Sequence, residues 1–268
     1  MKKLSIYTII LSLIAPISAH AQTSDWFKSK NVNARLVAGS DNQAALEIDL
    51  AAGWHTYWRI PGDSGLPPML SWADSTNLEA IEIDWPAPKR KKEYEFNTFG
   101  YDGNVTFPLT VLPIDPSKDT KLALNAQIMI CNDICIPQAF KLTLDTNKDA
   151  DHTKEDAKIA AAKTKLPSED PNQDLTIDSI IAAKDALVVA ITSKTGFEGI
   201  DVFPVIEEDK IALTLPAVIE ISEYDPEKAM IRVDNGSDFE NIAGALQGKT
   251  LTVTLTQGDT TIVKSVQY

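Results

Sequence analysis

The chain has 268 residues, enough for one large domain or two of ordinary size. Its 44% hydrophobic and 24% charged residues and formal charge of −13 exclude a disordered tail, a multispanning membrane protein and a wholesale nucleic-acid binder, which relies on a basic face. Two cysteines exclude a disulfide-dense scaffold and every four-cysteine zinc framework, and leave room for one redox pair.

Residues 1–21 read as a secretory signal peptide. Lys2 and Lys3 form a positive start, residues 4–18 an apolar stretch and Ala19-His20-Ala21 a small-x-small cleavage pattern, with cleavage expected after Ala21. The apolar run falls short of the roughly 20 residues a spanning helix needs, and Pro16 interrupts it. A mature, acidic periplasmic protein without stable membrane insertion is expected, in an oxidising compartment where cysteine pairs tend to be disulfides.

From residue 22 the pattern is one of short strands. Residues 44–50 and 121–130 alternate, so that Leu122, Leu124, Ala126, Ile128 and Ile130 share a face. Further strands are predicted at 31–38, 54–59, 79–84, 104–112 and 138–144, between clusters of Gly, Pro, Asn and Asp. Residues 153–165 read as an Ala- and Lys-rich helix and 166–173 as a polar linker. Strand patterns resume at 174–182, 186–193, 200–206, 210–215, 218–222, 229–233, 249–256 and 260–266, with a helical turn near 237–246 behind a Ser237/Glu240 capping box. The expectation is an all-β chain of two immunoglobulin-like sandwiches with short helical segments, divided as 22–150, a helix and linker at 151–173, and 174–268. All five Trp and both Cys lie in the first half, so the chemistry is sought there.

Cys131-Asn132-Asp133-Ile134-Cys135, followed by Ile136-Pro137, ends the alternating strand. A disulfide here closes a ring of five residues, for which chain entropy supplies roughly 2 kcal/mol, against about 3 for a 15-residue loop. That argues for a redox-active pair over a small structural disulfide or a metal clip. Asp133 between the cysteines and the lack of an adjacent cation favour no thiolate, so reactivity is expected to depend on a docked partner.

Three other features invite a function. Gly62-Asp63-Ser64-Gly65 looks like the nucleophile segment of a serine protease, but Leu66 follows where such enzymes carry an oxyanion-hole glycine, and His55 is only a few residues upstream. A tight turn is the better reading. Cys131, Cys135, Met129 and His55 are soft ligands for copper(I) without a dense ligand pattern, so no metal or cofactor is expected. Lys89-Arg90-Lys91-Lys92 reads as a solvated loop, with a docking patch for an acidic partner or lipid headgroups as its functional alternative.

The segments Gly53-Trp54-His55-Thr56-Tyr57-Trp58-Arg59-Ile60-Pro61-Gly62-Asp63-Ser64-Gly65-Leu66-Pro67, Trp85-Pro86-Ala87-Pro88 and Phe99-Gly100-Tyr101-Asp102-Gly103, with the cysteine pair and Pro137, resemble the N-terminal periplasmic domain of DsbD-type disulfide reductases. They are especially similar to the branch of the ScsB copper-tolerance proteins, and the second half resembles that branch more weakly. The resemblance implies an immunoglobulin-like redox domain that takes electrons from a thioredoxin-like donor and passes them to periplasmic disulfide proteins. It implies Cys135 as the nucleophile and Cys131 as the resolving cysteine. It also implies an aromatic cap loop, which falls on residues 94–101 with Phe96, Phe99 and Tyr101 as capping rings. Family members continue into a membrane domain and a thioredoxin-like domain. Since this chain stops at Tyr268, the expected electron donor is a separate thioredoxin-like or membrane-embedded thiol protein. The alternative is a non-catalytic periplasmic binding protein, for copper handling or chaperoning, whose cysteines are ligands or a static bridge.

Overall fold

A computed structural model describes residues 22–93, 95–169, 174–234 and 240–268. The signal-peptide segment, Tyr94, the end of the linker and Ser237 lie outside the described residues. The first sandwich comprises β1 (Phe27–Lys28), β2 (Val32–Ala38), β3 (Gln43–Leu50), β4 (His55–Gly62), β5 (Met69–Ser71), β6 (Leu78–Ile83), β7 (Lys89–Glu93), β8 (Phe96–Asp102), β9 (Asn104–Pro113), β10 (Lys121–Cys131) and β11 (Cys135–Asp145). One sheet runs β1-β2-β3-β9-β6. The other runs β11-β10-β4-β8-β7, with β5 also pairing to β10.

The alternation at 121–130 does what its period requires. Leu122, Leu124, Ala126, Ile128 and Ile130 are buried and face Leu36, Leu46, Ile48, Phe107 and Leu109 of the opposite sheet in one core. Helix α1 (Thr153–Lys163) lies on the first sheet through Ile159, which packs on Val37 and Ala45.

The second sandwich comprises β12 (Leu175–Ala182), β13 (Ala186–Ser193), β14 (Ile200–Ile206), β15 (Ile211–Ala212), β16 (Val218–Ile221), β17 (Lys228–Asp234), helix α2 (Ile242–Ala245), β18 (Thr250–Gln257) and β19 (Thr260–Gln267). Its sheets run β12-β13-β17-β16 and β15-β14-β18-β19 around a separate core. The cap of α2 is Asn241, whose side chain accepts from the Gly244 amide.

The two sandwiches share apolar surface. Phe203 and Val205 of β14 and Ala212 of β15 pack into the core of the first sandwich, and the ring centroids of Phe99 and Phe203 are 5.0 Å apart. Salt bridges flank this contact. Arg59 makes a bidentate bond to Glu207 at 2.7 Å, and Arg90 bonds Asp201 at 3.0 Å.

The Lys89–Lys92 run is therefore corrected: it is strand β7, neither a solvated loop nor a free basic patch. The Arg90 guanidinium lies over the rings of Phe99 and Phe203 and donates to the carbonyls of Val202 and Thr214, while Lys91 pairs with Asp102 at 2.5 Å. Lys89 and Lys92, the other two cations of the run, are exposed on the same strand.

Candidate functional site

The cysteines close a β-hairpin. Strands β10 and β11 pair without a slip from Lys121↔Asp145 to Cys131↔Cys135, and Asn132-Asp133-Ile134 makes the turn. Cys131 and Cys135 are disulfide-bonded, with Cα atoms 4.1 Å apart. Their exposures differ sharply. Cys131 is 1% exposed, whereas Cys135 is exposed together with Asn132, Asp133 and Ile134 of the turn.

The same register runs on across the sheet, because Cys131 also pairs with His55, and His55 with Asp102. Directly opposed residues project from one face, so Cys135, Cys131, His55 and Asp102 form a row across four strands. Two residues along β4, Tyr57 points the same way. Its hydroxyl is 3.2 Å from Cys131 Sγ and 3.9 Å from Cys135 Sγ.

Glu93 completes the cluster, with a carboxylate oxygen 2.7 Å from His55 Nε2. Burial holds the imidazole below its ordinary protonation range and outweighs the pull of Glu93. Burial also pushes the Tyr57 phenol up to about 12, and the negative charge of Glu93 adds to the shift. Tyr57 is thus a neutral hydrogen-bond donor beside the disulfide at any physiological pH.

The segment after β4 covers this tyrosine. Gly62 and Gly65 have φ of 87° and 98°, so the tight turn expected here forms. A Cβ on Gly65 would fall 2.3 Å from Tyr57 Cε1, which places the backbone at Gly65 directly on the ring.

The aromatic cap is redrawn by strand alternation. Residues 96–102 are strand β8, not a loop. With Asp102 and Gly100 on the cysteine face, Tyr101 and Phe99 project from the other face into the core. The Phe99 ring is fully buried between Trp58 and Phe203, and Tyr101 packs on Phe107 and donates its hydroxyl to the Pro86 carbonyl. Both are corrected from cap to core. Phe96 alone of the three lies on the cysteine face, half exposed where the β7–β8 hairpin turns.

No motif marks Tyr57 or Glu93 as a neighbour of the cysteines, and His55 is grouped with them only as a soft ligand. The signal that could have found two of them is the alternation of His55 and Tyr57 within the strand 54–59. Of the soft ligands grouped in the sequence, His55 stands opposite Cys131 and contacts Glu93.

A sandwich with an asymmetrically exposed disulfide at a hairpin tip defines a class, that of immunoglobulin-like domains bearing a cysteine pair. Residues 25–147, which span the first sandwich, match the family described as thiol:disulfide interchange protein DsbD, N-terminal. The N-terminal periplasmic domain of ScsB from Proteus mirabilis has the same fold. Its crystal structure superposes with a TM-score of 0.69 at 20% identity, over 91% of this chain and 97% of that one. No match is found among curated protein sequences. No described helix is long and apolar enough to cross a membrane.

Proposed function

We propose that the chain is a periplasmic thiol–disulfide exchange protein that relays reducing equivalents to disulfide-bonded substrates through Cys135 and Cys131. The observation that carries this reading is the difference in exposure within one disulfide. A sulfur can be attacked, or can attack, only where a partner reaches it, and that sulfur is on Cys135.

In the reduced protein, the Cys135 thiolate attacks a substrate disulfide. A bond forms between Cys135 Sγ and one substrate sulfur, and the other substrate sulfur leaves as a thiolate. The buried Cys131, having given up its proton, then attacks Cys135 Sγ. This restores the internal disulfide and releases the second substrate thiol, so two electrons have passed to the substrate. A dithiol donor of the thioredoxin-like or membrane-embedded kind reverses the sequence at Cys135. The periplasmic assignment is supported by the family match of the first sandwich and by the reading of residues 1–21.

The test is partner trapping with Cys131→Ala, in which a mixed disulfide formed through Cys135 has no resolving thiol. Accumulated adducts on Cys135 are expected. Trapping by Cys135→Ala instead would reverse the assignment, and a disulfide inert toward a thioredoxin-like dithiol in the intact protein would end the exchange reading.

A further inference from the structure

The second sandwich meets both segments that border the redox pair, and it does so at one residue. Thr214, buried in the segment between β15 and β16, hydrogen-bonds through its hydroxyl to Asp63 Oδ1. Its carbonyl accepts from the Arg90 guanidinium.

Asp63 and Arg90 lead to opposite sides of the site. Asp63 lies two residues before Gly65, the residue seated on the Tyr57 ring. Its other carboxylate oxygen accepts from the Asn97 amide at 2.7 Å, and its own amide donates to the Asn97 carbonyl at 3.1 Å. Arg90 lies in β7, the strand that ends at Glu93 beside His55. The turn over Tyr57 and the β7–β8 hairpin with Glu93 and Phe96 are thus fastened to each other through Asp63 and to the second sandwich through Thr214, with Asp201 and Val202 as further anchors of Arg90. Gly62 shows how close the fit is: a Cβ there would fall 2.5 Å from the Asn97 carbonyl oxygen and 3.3 Å from Thr214 Cγ2.

We infer that Thr214 is a positioning residue for the redox site, and that the second sandwich serves to clamp the Gly62–Gly65 turn and the β7–β8 hairpin against Tyr57 and the disulfide. The inference deepens the exchange reading and rests on it. A clamp of this kind holds the Tyr57 hydroxyl against Sγ of Cys131, the sulfur that leaves when a thiol attacks the exposed Cys135, since the turn can lift from the Tyr57 ring only by breaking the Asp63 bonds.

The experiment measures the rate at which dithiothreitol reduces the Cys131–Cys135 disulfide in the full chain. Thr214→Val keeps the shape and the Arg90 contact but removes the hydroxyl, and is expected to slow reduction about fivefold, the scale of one lost hydrogen bond. Thr214→Ser restores the hydroxyl and should restore the wild-type rate. In an Asp63→Ala background, Thr214→Val should add nothing, because the bond it removes is already gone. A Thr214→Val rate at or above that of wild type, a Thr214→Ser protein as slow as Thr214→Val, or an undiminished effect in the Asp63→Ala background would each overturn the inference. Failure of the exchange reading looks different: dithiothreitol rates still respond to Thr214, while a thioredoxin-like donor leaves the wild-type disulfide untouched.

Discussion

The phenol of Tyr57 and the sulfur of Cys131 lie 3.2 Å apart inside the first sandwich, and in the oxidised protein only the phenol has a proton to donate. A disulfide sulfur is a weak acceptor, whereas the thiol or thiolate that replaces it on reduction is a stronger partner. The hydroxyl therefore favours the reduced state. Tyr57→Phe should shift the equilibrium with glutathione toward the disulfide about fivefold, or about 1 kcal/mol, as read by thiol content in redox buffers. An unshifted equilibrium would show that the hydroxyl treats both states alike.

Once the bond is reduced, exposure should separate the two thiols. Cys135 should react with iodoacetamide at least about tenfold faster than Cys131, whose burial shields the sulfur. Mass mapping of the first adduct decides the point.

The acid sensitivity of the fold should carry the mark of His55. Burial lowers its protonation range in the folded state against the opposing effect of Glu93, with Lys91 lowering it further and Asp102 raising it. The unfolded chain therefore binds more protons as pH falls below the ordinary value of 6.5. The contribution of His55 to stability is present above that pH and is lost below it. Tm should fall between pH 7 and pH 5, and His55→Gln should flatten that slope.

Gly65→Ala places a Cβ on the Tyr57 ring and forces a side chain into a left-handed backbone conformation. A loss of about 1–3 kcal/mol is expected in urea denaturation. Alanine at Gly103, where nothing lies within 4 Å of the added carbon, provides the comparison for backbone strain without the ring contact.

Arg90→Met keeps the aliphatic stem but leaves Asp201 and the carbonyls of Val202 and Thr214 without their donor. About 3 kcal/mol should be lost, because the surviving partners are partly buried. Differential scanning calorimetry should then show two transitions, one for each sandwich. A single unshifted transition would show that the apolar contact of Phe99 with Phe203 suffices to join them.

Strand periodicity made the architecture legible. The alternations at 44–50 and 121–130 and the helix near 153 are set by local burial patterns, and they appear where those patterns lie. Strands β7 and β8 were hidden because their composition misleads. Four cations in a row suggest solvent, yet Arg90 is drawn inward by carboxylates and carbonyls more than a hundred positions away. The cysteine pair was legible from its own spacing. Its polar neighbours were not, since Glu93 reaches His55 only through the pairing of β7, β8 and β4. Asp63 looked like part of a protease decoy and instead bonds a residue of the other sandwich, a relationship that no local pattern encodes.

The unbroken register of β10 and β11, eleven paired positions long, brings Cys131 opposite Cys135. The ladder of main-chain bonds has already fixed the two residues as neighbours, so the two thiols face each other at a very high effective concentration set by the scaffold. Closing the bond then requires almost no further ordering of the chain, and opening it releases almost none. The pair can therefore cycle between its two states while the sandwich that carries it stays the same shape.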